Sequence, residues 1–127
     1  MPLVRIDIKK GRSKEFLVAL MNVTIDTVQQ ILNVPKDDKN IRLTEYDPEL
    51  FLMKPPYTLI IEISMFSGRS VNAKRALYQA IVVNLKEKLD IDIEDVFILI
   101  NEQPRENWGI RGGIPASEVD LGFRLDI

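Results

Sequence analysis

The strongest constraint on this chain is that its second half repeats its first at an offset of 57 residues. Gly11-Arg12-Ser13 returns as Gly68-Arg69-Ser70, and the same offset aligns Ile6 with Ile63, Ala19 with Ala76, Leu20 with Leu77, Leu32 with Leu89 and Asp38 with Asp95 without a gap. The fold must therefore be buildable from one unit used twice. Each unit opens on an apolar, β-branched run of strand length, Leu3 to Ile8 and Leu59 to Met65. Each then turns through Gly-Arg-Ser, whose serine is a natural N-cap for a helix. Apolar residues recur at helical spacing from about 15 to 33 (Leu17, Leu20, Met21, Val28, Ile31, Leu32) and from about 71 to 89 (Ala73, Ala76, Leu77, Ala80, Ile81, Leu85). Pro35 and Asp37-Asp38 end the first helix, Asp92-Ile93-Glu94-Asp95 comes after the second, and second strands are expected over about 41–45 and 96–101.

A parallel strand-helix-strand connection is almost always right-handed, so two such units make one four-stranded sheet with both helices on one face. The expectation is an α+β fold of duplicated β-α-β units in a single domain over residues 1–127, with repeat units at about 2–46 and 59–101. Between the units Asp47-Pro48 marks a turn, Leu50 to Met53 has the character of a short extra strand, and Pro55-Pro56 is a stiff linker. At the end of the chain Val119, Leu121, Phe123, Leu125 and Ile127 alternate with Asp120, Gly122, Arg124 and Asp126, which predicts a half-buried strand over about 119–127. Because two helices cover only one side of a sheet, the other side and this tail are expected to be buried against further subunits, packing of the tail within its own chain being the alternative.

Composition narrows the chemistry. The chain has no cysteine and no histidine, which removes thiol nucleophiles, thiolate and imidazole metal sites and histidine-based triads. Acid-base chemistry near neutral pH is left to a shifted carboxylate, a lysine, a tyrosine or a terminal amine. A formal net charge of -2 implies no basic face for nucleic acid or an anionic membrane. No apolar run approaches spanning length, and Arg5, Asp7, Lys9 and Lys10 break any signal-peptide layout. The expectation is a soluble protein of the cytoplasm.

Those limits put weight on Pro2. If Met1 is removed, which a small second residue permits, Pro2 carries a secondary amine in place of an amide nitrogen. An α-amino group titrates near ~8, and an apolar setting lowers that value. If the two opening strands lie antiparallel, Pro2 sits beside the end of the second opening strand, just before Arg69. Arg12 then falls beside Leu59, the interior counterpart of the chain start, where no free amine exists. The loop after the first helix brings Asp37 and Asp38 near Pro2, and Asn107-Trp108 emerges at the Arg69 end. Arg69 can hold a carboxylate with a planar fork of donors, Trp108 can wall the site, and a neutral Pro2 can shuttle a proton beside a carbonyl. Each residue also has a plainer use: Arg69 as turn decoration, the aspartates as solvated carboxylates, Trp108 as core.

Pro2 opening a strand, Gly68-Arg69-Ser70 with Lys74 and Leu77-Tyr78 on the next helix, Asp92 to Asp95 before a strand and Glu106-Asn107-Trp108-Gly109 after it resemble the tautomerase superfamily, most closely the branch containing malonate semialdehyde decarboxylase. The resemblance spans nearly the whole chain. It implies a β-α-β fold, a homotrimer, no metal or organic cofactor, a small carboxylate substrate and Pro2 as the catalytic amine. It further implies Arg69 as the ligand of the substrate carboxylate, Asp38 as a water-positioning or hydrogen-bonding carboxylate, and Trp108 as part of the apolar wall; Ile110 and Arg111, which follow it, are substrate-binding candidates by position. The chain departs from the decarboxylase pattern at Ser67, where a second arginine belongs, and at Ile110 and Arg111, where an aromatic residue and glycine belong; Arg111 is the candidate to replace the missing charge. Tautomerisation of small 2-oxo acids is thus the leading expectation. A decarboxylase or hydratase with a cationic Pro2, and a non-catalytic ligand-binding module, are the alternatives.

Overall fold

The computed structural model of the chain describes residues 1–120. Strand β1 (Pro2–Lys9), helix α1 (Lys14–Leu32) and strand β2 (Ile41–Tyr46) form one unit; β3 (Leu59–Phe66), α2 (Val71–Leu89) and β4 (Val96–Gln103) form the other. The sheet order is β2-β1-β3-β4, with the outer pairs parallel and the central pair antiparallel. This is the α+β arrangement expected from the repeat.

Equivalent positions meet where a pseudo-twofold axis requires them to. In the sheet Arg5 lies opposite Glu62, its partner at the repeat offset, and Arg5 Nη2 donates to Glu62 Oε2 at 2.6 Å. In the helical layer Asn84 Nδ2 donates to Thr27 Oγ1 at 2.9 Å, and these too are equivalents. The turns are duplicated in detail. Gly11 and Gly68 have φ of 136° and 126°, a backbone that side chains with a Cβ rarely adopt. Ser13 and Ser70 then cap their helices, each Oγ accepting from the backbone N–H three residues on at 3.1 Å. Both helices end on a left-handed residue, Asn33 at φ 54° and Asp90 at φ 56°.

Burial obeys the strand alternation. Val4, Ile6, Ile61 and Ile63 are fully buried against Leu20, Val28, Leu77, Ile81 and Leu85 of the helices. The opposite face carries Arg5, Asp7 and Glu62 at its centre, flanked by Phe97 and Leu99, which are 39% and 42% exposed. Partial burial, then the charge of Asp7 and a hydrogen bond to it, raises the Tyr46 phenol above its ordinary pKa.

Leu50 to Met53 does not form an extra strand. Pro48–Leu50 is a single 3-10 turn, capped by Asp47 Oδ1 accepting from Glu49 N at 3.0 Å. Proline suits the first position of such a turn because it has no N–H to satisfy. Phe51 then buries its ring against Tyr46, with centroids 5.7 Å apart. Beyond β4 the chain makes a small hairpin unforeseen from the sequence, β5 (Gly109–Ile110) with β6 (Ile114–Pro115). Arg105 Nη2 donates to the carbonyls of Ala116 and Val119 at 3.0 Å each and so fixes the backbone just past the hairpin. The strand expected over about 119–127 lies, after Asp120, outside the described residues.

Candidate active site

The first residues of the chain are docked. Pro2 is buried at the start of β1 and pairs with Met65, four residues before Arg69. The amine of Met1 donates to Asp38 Oδ2, so the loop after α1 does return to the strand-start end. Asn40 Nδ2 donates to Asp38 Oδ1 at 2.7 Å and to the Pro2 carbonyl at 3.3 Å, joining carboxylate and strand in one network. Asp37, the other candidate in that loop, is exposed.

Gln29 explains why the loop takes this shape. Its side chain is buried at 6% exposure, and Nε2 faces the carbonyls of Pro35, Lys36 and Asp38 at 2.9, 3.0 and 3.1 Å. One amide, with two hydrogens for three acceptors, gathers the backbone into a tight curl whose next side chain is the Asp38 carboxylate. Sequence reasoning missed Gln29 and Asn40. The signal for Gln29 was present: it interrupts the apolar stripe of Ile25, Val28 and Leu32, and a polar residue on a core-facing stripe must bond to something.

Arg69 is 7% exposed, and its Nη1 donates to the Leu32 carbonyl at 2.9 Å. A guanidinium there satisfies an orphan carbonyl of α1 and complements the negative end of the helix dipole. Burial lowers its pKa, though a guanidinium remains a cation in water at any ordinary pH. The contact ties the turn of the second unit to the helix end of the first, one residue before the loop that holds Asp38.

Trp108 stands at the same end of the sheet but over its other face. Its ring meets Phe66 edge-on, centroids 5.0 Å apart at 76°, and its Nε1 donates to the Gln103 carbonyl at 3.3 Å. Phe66 comes directly after Met65, and strand alternation turns it away from the helices. Ile110 pairs with Ile114 in the small hairpin, and Arg111 is exposed at its tip with φ 50°. Among the described residues neither shares a hydrogen bond or ion pair with Met1, Pro2 or Asp38. The structure thus gathers Pro2 and Asp38 at one strand end, with Arg69 bonded to the adjoining helix end, sets Trp108 across the sheet edge, and leaves Ile110 and Arg111 on the hairpin. A further ion pair, Lys74 Nζ to Glu102 Oε1 at 2.5 Å, lies one strand beyond Met65, since Met65 pairs with Glu102.

A family model described as a tautomerase enzyme matches residues 42–111. The chain belongs to the tautomerase family. It is 28% identical over 121 residues to the probable tautomerase YusQ of Bacillus subtilis (strain 168), covering 89% of this chain and 95% of that one. Among solved structures, the FG41 malonate semialdehyde decarboxylase inhibited by 3-bromopropiolate superposes with a TM-score of 0.81 at 26% identity, over 89% of this chain and 92% of that chain. A fused 4-OT described as a symmetric trimer superposes with a TM-score of 0.81 at 22% identity over 96% of this chain and 99% of that chain, which shows the shared fold. Within the tautomerase superfamily the chain lies with the branch resembling malonate semialdehyde decarboxylase. No helix among the described residues is long and apolar enough to cross a membrane.

Proposed function

We propose that this single-domain chain is a cofactor-independent tautomerase of small 2-oxo acids and their enols, and that the secondary amine of Pro2, freed by loss of Met1, moves the proton. The observation that carries this reading is the docking of the chain start: its terminal nitrogen lies on the Asp38 carboxylate in a loop shaped by buried Gln29. Chain ends ordinarily fray unless something ties them down. Here β1 and Asp38 do so one residue upstream of the nitrogen in question.

In this reading Arg69 holds the substrate carboxylate, and Pro2, buried at the strand start, works as a neutral base. The neutral amine takes the enol hydroxyl proton and, as the ammonium, returns it to the adjacent carbon, which leaves the 2-oxo acid and the neutral amine; the reverse sequence enolises it. Asp38 accepts a hydrogen bond from the ammonium form of the amine or from a water beside it. Trp108, Ile110 and Arg111 belong to the substrate-binding wall, which fits best if a neighbouring copy closes the sheet's open face. A homotrimer is part of the proposal, supported by the exposed Phe97 and Leu99 on that face and by the trimeric fused 4-OT.

The likeness to malonate semialdehyde decarboxylase favours one second reading, decarboxylation or hydration with a cationic Pro2 as acid. The pH dependence separates the two. A base must be deprotonated, so ketonisation rises with pH through the amine pKa, whereas an acid loses activity there. Pro2→Ala, folded as wild type by circular dichroism, is expected to lower the ketonisation of a phenylpyruvate-like enol by about 10²- to 10⁴-fold. An unchanged rate removes the mechanism.

A further inference from the structure

The pseudo-twofold axis that relates the two units also generates a second place equivalent to the start of the chain. There Leu59 stands for Pro2, Thr58 for Met1, Arg12 for Arg69 and Asp95 for Asp38. The correspondence extends to hydrogen bonding: Thr58 N donates to the Asp95 carbonyl at 2.9 Å, where the Met1 nitrogen meets the Asp38 side chain. At this second place the nitrogen is a peptide N–H, without basicity, so no proton transfer can be run from it.

What the place has instead is charge. A cleft of about 190 Å³ opens there, floored by Ile8, Leu59 and Ile91, which are 5%, 2% and 5% exposed, and rimmed by Lys9, Lys10 and Arg12. Its wall is Phe16, over whose ring the Arg12 guanidinium stacks at 4.6 Å. That cation-π contact holds the guanidinium at the cleft wall, where its fork of N–H donors can meet an anion. Among the described residues none of the three cations has a carboxylate within ion-pair distance, although the chain as a whole carries two more acidic than basic groups. Three uncompensated cations around an apolar floor repel one another, and an anion relieves that repulsion. At the equivalents of Lys9 and Lys10 on the Pro2 side stand Phe66 and Ser67, so the two lysines of this rim have no counterpart there.

We propose that the Lys9-Lys10-Arg12 cleft is a second, non-catalytic binding site for a small carboxylate with an apolar body. The carboxylate lies in the fork of Arg12 with the lysines beside it, and the apolar body rests on Ile8, Leu59, Ile91 and the edge of Phe16. The site stands on its own cations and owes nothing to the chemistry assigned to Pro2. A floor this apolar selects against bare inorganic anions, because covering it without filling it gains nothing.

The test is a titration of the Pro2→Ala protein with phenylacetate, tracked by amide chemical shifts and by calorimetry. The expected result is saturable shifts at Lys10, Phe16 and Leu59, with the affinity read from those shifts falling at least tenfold in Arg12→Ala and in the Lys9→Gln, Lys10→Gln double variant, and unchanged in Arg69→Gln. All three cations are exposed, so these variants are expected to fold, which the same spectra check. Absence of shifts around the cleft, loss of binding in Arg69→Gln but not in Arg12→Ala, or equal competition by inorganic phosphate would each overturn the assignment. Because the titrated protein lacks Pro2, a failed Pro2 mechanism and a failed second site give different results.

Discussion

At the residue scale the account turns on Gln29 and the loop it holds. Asp38 is half-buried, and its orientation toward the chain start comes from the curl of residues 35–38 and from Asn40. Gln29→Leu, which keeps the volume and removes the donors, leaves three carbonyls without their partner. Loss of a buried hydrogen-bonding partner costs about 1–3 kcal/mol. The same change lets Asp38 drift from the amine. We expect Gln29→Leu to lower kcat by tenfold or more and to move the pH-rate midpoint, and Gln29→Glu, which loses the donors while keeping the shape, to behave alike. A fall in melting temperature with an unaltered pH profile would mean that Gln29 supports the fold and not the site. Arg69 has a similar double character, as a tie to the Leu32 carbonyl and as the proposed carboxylate ligand. Gln29 also marks where sequence reading ran short. Its stripe position announced a buried polar group, but which carbonyls it would gather depends on how the loop closes, and that is a tertiary outcome. Pro2, Asp38 and Arg69 were legible because chain position, strand direction and loop return together bring them to one end of the sheet.

At the element scale most of the architecture was readable, since repeat, periodicity and capping agree with one another. Both helices begin one residue after the serine of Gly-Arg-Ser, and the offset of 57 that aligns the sequence also aligns the caps, the left-handed helix ends and the contacts across the axis. Ser13→Ala and Ser70→Ala are each expected to cost about 1 kcal/mol in chemical denaturation, in line with lost N-caps elsewhere. Unequal effects, with one variant silent, would contradict the equivalence of the two units. Leu50 to Met53 was misread because a short apolar run after a proline fits an edge strand and a 3-10 turn alike, and only the seat of Phe51 on Tyr46 decides between them. The hairpin after Trp108 was missed because two-residue strands carry no periodicity to detect.

At the scale of the whole molecule the duplicated sheet has one face covered by its own helices and one that is not. That open face sets the Arg5, Asp7 and Glu62 charges of β1 and β3 beside apolar Phe97 and Leu99 of the edge strand β4, a mixture suited to contact with another copy. Leu99→Lys, exposed in the isolated chain and therefore harmless to its folding, is expected to shift the protein from a trimer to a monomer by light scattering. A wild type that is monomeric at micromolar concentration, or a variant that remains trimeric, would contradict the proposed assembly. The same duplication gives the molecule two related ends, one with a candidate amine and one with a cationic cleft that lacks it. In the proposed mechanism the amine end alone does the chemistry, and does so once Met1 is gone.

The most direct measurement compares ketonisation by two preparations that differ in a single residue, one with Met1 removed and one with Met1 retained, each verified by intact mass. With Met1 in place the Pro2 nitrogen is a tertiary amide without basicity, so the account predicts a rate about 10²- to 10⁴-fold below that of the processed protein. Equal rates from the two preparations would contradict it.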